Sequence, residues 1–300
     1  MSRPPINADQ RRWNKSIRAY LSFSVFLCGC QMAVWAADVP AQFAITEASL
    51  HQYEDGPALQ GNHYFVPGEI VFLSFRAAGY KATETDPPKV KLSYRIDAFD
   101  TEGVLLVETK TDRIEKELAP QDKNWQPKVR YSFSVPPLGD PGTYRAVITV
   151  KDETGGGTAK RDLSLTVRGH AVEASPALVV RNFRFLRDEQ EANVAASATY
   201  RAGDPIWARF DVTGYKIGEK NRFQVSYGLE VLRSSGESIY TEPKAAEESA
   251  ESFYRRRYMP GELNLRPSSD IAKGDYTILL RVEDHLGGQK YESRHVFHIE

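Results

Sequence analysis

The chain has 300 residues, of which 26% are charged and 41% hydrophobic. That balance fills one large core or two ordinary ones and excludes a wholly disordered or collagen-like chain. Lys and Arg total 39 against 40 Asp and Glu, a formal net charge of -1, which argues against a nucleic-acid partner, because phosphate binding needs a net or patchy positive surface.

Residues 1–18 carry Arg3, Arg11, Arg12, Lys15 and Arg18 against a single acid, Asp9. An apolar run follows from Ala19 to Leu27 and continues less cleanly through Met32 to Ala37. A basic head, a short apolar centre and small residues at its end predict a secretory signal over residues 1–36. Val34-Trp35-Ala36 sets small residues at the two positions that signal peptidase inspects, so the expected cut follows Ala36. Two other readings rank behind it. Leu27-Cys28-Gly29-Cys30 resembles a lipobox with Cys30 as the lipidated residue, although Cys28 is unusual there and Met32, Val34 and Trp35 are apolar for a tether. Ala19–Ala37 is also about long enough for an uncleaved anchor, but Ser, Gly, Cys and Gln dilute it. Membrane attachment is expected only through this segment. A chain cut after Ala36 keeps no cysteine, so its folding rests on core burial alone.

The rest of the chain reads as one unit written twice. Phe65-Val66-Pro67-Gly68-Glu69 returns as Tyr200-Arg201-Ala202-Gly203-Asp204, and Gly79-Tyr80-Lys81 as Gly214-Tyr215-Lys216, both displaced by 135 residues. Ser93-Tyr94-Arg95-Ile96 and Gly103 match Ser226-Tyr227-Gly228-Leu229 and Gly236 at 133. Gly142-Thr143-Tyr144 matches Gly274-Asp275-Tyr276 at 132, followed by Val150-Lys151-Asp152 against Val282-Glu283-Asp284 and Gly155-Gly156 against Gly287-Gly288. The order is kept and the displacement drifts by only three residues, which chance similarity does not do. The copies are expected over 43–167 and 178–300, with 168–177 as a short linker.

Each copy reads as strands. Val71, Leu73 and Phe75 alternate in the first, as Ile206, Ala208, Phe210 and Val212 do in the second against Trp207, Arg209 and Asp211. A period of two sends one set inward and the other outward. The inward sets continue with Tyr94, Ile96 and Ala98, matched by Tyr227, Leu229 and Val231, and with Tyr144, Ala146, Ile148 and Val150, matched by Tyr276, Ile278, Leu280 and Val282. Leu163, Leu165 and Val167, then Phe297 and Ile299, close the copies. Glu102-Gly103, Ser235-Gly236, Gly155-Gly156-Gly157 and Gly287-Gly288 mark hairpins. Only Lys244–Ser252 has a helical composition, enough for a turn or two.

Several short alternating strands in each copy predict an all-β chain of two tandem antiparallel sandwiches. Gly142-x-Tyr144 and Gly274-x-Tyr276, each followed by an alternating strand, an Asp and a Gly-rich hairpin, resemble the closing strands of immunoglobulin-like or fibronectin-III-like domains. The pair is similar to tandem modules of bacterial envelope and secreted proteins. The resemblance implies that each Tyr forms a corner, its hydroxyl bonding back to the backbone. The Cys pair and core Trp of antibody-type domains are missing, so it reaches the broad class only.

No motif carries evident chemistry. His-Glu-x-x-His, Gly-x-Ser-x-Gly and a phosphate-binding Gly-Lys-Ser/Thr loop are all absent from the sequence. His295 and His298 sit three apart on an expected strand, hence on opposite faces, where they cannot share a metal. Asp152 and Asp284 each lie beside a Gly-rich turn, but a calcium site needs several converging oxygens and each hairpin offers one or two acids. No cofactor, metal or catalytic residue is expected. The most unusual run is Phe253-Tyr254-Arg255-Arg256-Arg257-Tyr258, which the first copy lacks. Read as a strand, it interleaves aromatic and basic side chains, either as a solvated edge guarded by arginine or as a grip on an acidic or sugar-bearing partner. Tyr254, Arg255, Arg256, Arg257 and Tyr258, with Trp207 pointing outward beside Arg209, are the candidate binding residues.

These readings point to a non-catalytic exported protein, a binding or structural module of the cell envelope, periplasmic or extracellular. Its partner would be an envelope protein or polysaccharide. The alternative is an accessory domain of a periplasmic enzyme or a protease-inhibitor-like protein, for which Asp86-Pro87-Pro88 is the one candidate loop.

Overall fold

A computed structural model describes residues 42–300, apart from 62, 123 and 190–196. The expected signal, Cys28 and Cys30 lie outside the described residues. Among the described residues no helix is long and apolar enough to cross a membrane.

Among the described residues sixteen strands form two antiparallel β-sandwiches. The first is built from β1 (Ala44–His51), β2 (Tyr64–Phe65), β3 (Ile70–Ala78), β4 (Lys89–Phe99), β5 (Lys110–Glu117), β6 (Lys128–Ser134), β7 (Gly142–Asp152) and β8 (Thr158–Val167). The second is built from β9 (Val179–Leu186), β10 (Thr199–Tyr200), β11 (Ile206–Thr213), β12 (Phe223–Arg233), β13 (Ser238–Ala250), β14 (Tyr258–Leu265), β15 (Gly274–Asp284) and β16 (Gln289–Ile299). In the first, a three-stranded sheet β1-β3-β6 faces a five-stranded sheet β2-β8-β7-β4-β5. The second repeats this order as β9-β11-β14 against β10-β16-β15-β12-β13. Even the exceptions repeat: β2 runs parallel to β8, and β10 to β16.

Alternation explains the cores. Val71, Leu73 and Phe75, with Tyr144, Ala146, Ile148 and Val150, are buried in the first sandwich. Ile206, Ala208, Phe210 and Val212, with Tyr276, Ile278, Leu280 and Val282, are buried in the second. Both corner tyrosines bond as the resemblance implies: the Tyr144 hydroxyl donates to the Asp140 carbonyl and that of Tyr276 to the Ala272 carbonyl, each at 2.7 Å. Gly103 and Gly236 take φ of +82° and +88° in matching hairpins, a region where a side chain strains the backbone.

The two aspartates beside the glycine turns are fold elements. One Asp152 oxygen accepts the amides of Thr154 and Gly155, and the other accepts that of Lys81. Asp284 does the same for Leu286, Gly287 and Lys216. Each carboxylate thereby ties its hairpin to the Gly-Tyr-Lys turn of the facing sheet.

Three local expectations are corrected. Lys244–Ser252 is not helical, since through Ala250 it belongs to β13, where pairing with β12 overrides the helical preference of Ala, Lys and Glu. Residues 253–257 are loop, and a strand begins only at Tyr258. Asp211, expected outward, is buried, because His170 at 2.6 Å and Asn182 at 2.8 Å cover its carboxylate.

Candidate functional site: the joint between the sandwiches

The β13–β14 loop is held open from within its own sandwich. The Asn221 side chain donates to the carbonyls of Ser252 and Phe253, and the Ser252 hydroxyl donates to that of Tyr254 at 2.7 Å. With those carbonyls engaged the chain cannot continue the β13 ladder, and it carries Tyr254 away to the first sandwich.

Tyr254 lies with Leu106 in the core cluster of the first sandwich, only 8% exposed, and borders a cavity that Pro136 and Leu138 also line. Its hydroxyl donates to Asp100 Oδ2 at 2.9 Å. Asp100 Oδ1 is already occupied by the amides of Glu102 and Val104, which close the β4–β5 hairpin. Arg257 converges on the same spot. Its Nη2 donates to Asp100 Oδ2 at 3.0 Å, its Nη1 donates to Glu102, and its Nε lies 3.1 Å from Asp140 Oδ2. Arg255 donates to the other Glu102 oxygen at 2.7 Å. Three carboxylates of one sandwich thus enclose two guanidiniums of the other. Asp140 serves twice, giving its carbonyl to the Tyr144 corner and its carboxylate to the joint.

The electrostatics follow burial and pairing. Burial works to raise the Asp100 carboxyl, but the Val104 amide, the Tyr254 hydroxyl, the Glu102 amide and the Arg257 charge outweigh it and hold it below the usual range. Glu102 is also lowered, chiefly by its Arg257 hydrogen bond. Asp140 is raised, because burial exceeds the pull of Arg257. Burial pushes Tyr144 up to about 12 and raises Tyr254 as well. Tyr144 and Tyr254 stay protonated and Arg257 charged at neutral pH.

The candidate residues therefore separate. Tyr254, Arg255 and Arg257 meet in the joint. Arg256 turns back, donates to Glu248 and lies over the Phe223 ring at 5.7 Å. Tyr258 is buried as the first residue of β14, its ring edge-on to His170. Trp207 is half-buried on β11, opposite Leu186 and Asn264, remote in register from the loop. The run expected to face a partner is turned inward because Asp100, Glu102 and Asp140 offer it charge and Leu106 offers it apolar cover. Only Phe253 stays open, at 50% exposure. The three acids were not among the candidates. Their signal is a matched asymmetry: Asp100, Glu102 and Asp140 occur only in the first copy, and the arginine run only in the second.

Other polar groups are bound within sheets. His51 bridges the Gly56 carbonyl and the Ser74 hydroxyl, each at 2.8 Å, and His285 meets the Ser226 hydroxyl at 2.7 Å. Both hydroxyls are buried side chains of sheet strands, Ser74 on β3 and Ser226 on β12. Among the described residues no three His, Cys, Asp or Glu are grouped to hold a metal ion.

No protein-family model matches this chain. No curated protein matches it either. Among solved structures it is similar to the C-terminal domain of the Streptococcus agalactiae antigen I/II polypeptide BspA, at 11% identity over 85% of this chain and 99% of that one, with a TM-score of 0.29. The C-terminal domain of the Streptococcus pyogenes antigen I/II-family protein AspA shares 10% identity over the same two fractions, with a TM-score of 0.33. A Pseudomonas fluorescens alkylpurine DNA glycosylase, AlkC, bound to DNA containing an abasic site analog shares 15% identity over 43% of this chain and 31% of its own, at 0.26. The fold assignment rests on strand order and core composition, not on these superpositions.

Proposed function

We propose that this chain is a non-catalytic exported protein that serves the cell envelope as a binding or structural module. The observation that carries the reading is the joint. Its most reactive-looking cluster of charged and aromatic side chains is consumed in fastening one sandwich to the other, as a fixed scaffold requires and as an active centre does not. The basic head, apolar run and Val34-Trp35-Ala36 of the N-terminus support export. In this reading Tyr254, Arg255 and Arg257 hold the two modules in one arrangement. The partner, an envelope protein or polysaccharide, meets open surface such as that around Trp207 and Phe253.

Expression of the full chain in a Gram-negative host, fractionation and intact-mass measurement test the export reading. The expected product lies outside the cytoplasm and begins at Ala37. A lipid-bearing product beginning at Cys30 replaces cleavage by lipidation but keeps export. Full-length protein confined to the cytoplasm overturns the proposal.

A further inference from the structure

The second sandwich has a surface equivalent to the one that Tyr254 covers on the first, and among the described residues it is open. The correspondence follows from the duplication. Leu106 and Val107, which line the same cavity as Tyr254, correspond at a displacement of 133 to Ile239 and Tyr240. Leu106 is 3% exposed, whereas Ile239 and Tyr240 are 37% and 47% exposed. Behind them Ile206, Val231, Leu265, Ile271 and Phe297 line a pocket of about 540 Å³. A phenol ring fills the matching place in the first sandwich.

The charges around the two sockets differ in sign. Asp100, Glu102 and Asp140 ring the first. Their counterparts in the second are Arg233, Ser235 and Ala272; the last pair is fixed by the corners, since Asp140 and Ala272 each accept the corner hydroxyl. Arg266 joins Arg233 in the pocket lining, where the single acid is Asp270, held by the Ser268 hydroxyl. Outside it Glu237 meets Arg233 at 3.2 Å with both side chains more than half exposed, a weak and exchangeable pair. Pro136 and Leu138 of the first socket give way to Ser268 and Asp270, so the second keeps an apolar floor under a more polar rim. With arginine in place of carboxylate beside that floor, it rejects an arginine-bearing loop and favours an acidic one.

We infer that this pocket docks a protein segment that inserts an aromatic side chain and sets a carboxylate against Arg233 and Arg266. The inference rests on reading the chain as a binding module and gives its partner a chemistry: an extended or looped acidic segment with an exposed Tyr or Phe.

Two synthetic peptides test it against the full chain by amide chemical-shift mapping. One has the sequence of residues 252–258; the other carries Arg255→Glu, Arg256→Glu and Arg257→Glu in that sequence. The acidic peptide is expected to shift the amides of Ile239, Tyr240 and Ile271 at a concentration about tenfold lower than the basic one. Arg233→Ser, at an exposed position that leaves the core intact, is expected to remove that preference, and Ile271→Ser to abolish the shifts. Equal response to both peptides, or none at millimolar concentration, overturns the inference. So does a concentration-dependent shift of the same amides without peptide, which assigns the pocket to a second copy of this chain. Either failure leaves the export result, read by fractionation, unaffected.

Discussion

Replacing Arg257 by Ala removes the cation common to Asp100, Glu102 and Asp140. The three acids do not weigh equally. Glu102 is 52% exposed and keeps Arg255, so water and its second partner absorb most of its loss. Asp100 has a side chain only 1% exposed. It keeps the Tyr254 hydroxyl and two backbone amides, which carry part of its charge but no counter-ion. Breaking a buried pair from one side costs about 3–5 kcal/mol, and the retained donors place this case near 3 kcal/mol. At about 1.4 kcal/mol per tenfold, the joint should open roughly 100-fold more often. Hydrogen exchange read by mass spectrometry across residues 99–107 and 251–257 measures that opening directly. Arg256→Ala is the control, since Arg256 pairs with Glu248 inside its own sandwich. Asp100→Asn closes a double-mutant cycle, because the amide oxygen still accepts from Glu102 and Val104. A coupling of about 2 kcal/mol or more with Arg257 is expected. Unchanged protection in Arg257→Ala, or equal loss in Arg256→Ala, refutes the assignment of the joint.

Two further outcomes follow from the same geometry. Asp284→Ala removes a fully buried carboxylate that accepts the part-buried amides of Lys216, Leu286 and Gly287, and at about 1 kcal/mol net per lost hydrogen bond the second sandwich should lose about 3 kcal/mol by urea titration; a loss under 1 kcal/mol removes the role given to that carboxylate. On acidification, Asp100 and Glu102 have folded pKa values lowered from 3.8 and 4.5, so their contribution is complete above those values and disappears as pH falls through the lowered ones. Protection of residues 99–107, corrected for intrinsic exchange, should therefore hold through the neutral range and fall only below about pH 4; a loss centred between roughly pH 5 and 7 contradicts the carboxylate account.

Much of the fold was legible because its determinants are local. A period of two in Ile206–Val212 and Tyr276–Val282 names the inward faces without any knowledge of partners, and each Gly-x-Tyr announces its corner because the hydroxyl reaches back only four residues. The joint was not legible in this way. Tyr254 meets Asp100 across 154 residues, and no pattern within either copy reports a contact between them. Interleaved aromatic and basic residues look alike whether they face solvent or a neighbouring module. Lys244–Ser252 failed for a related reason: its composition speaks for a helix, but a thirteen-residue strand alongside β12 decides otherwise. Comparing the copies position by position, and asking where charge changes sign, is the reading that reaches Asp100, Glu102 and Asp140.

The sign change at the two sockets also restricts how such an array can grow. If the second sandwich were duplicated once more and appended, its arginine loop would approach Arg233, Ser235 and Ala272 where the first sandwich offers Asp100, Glu102 and Asp140. Serial copying is therefore self-limiting at this seam. Lengthening the array calls for a unit whose leading loop has exchanged its arginines for acids, so each added unit would have to differ from the one before it.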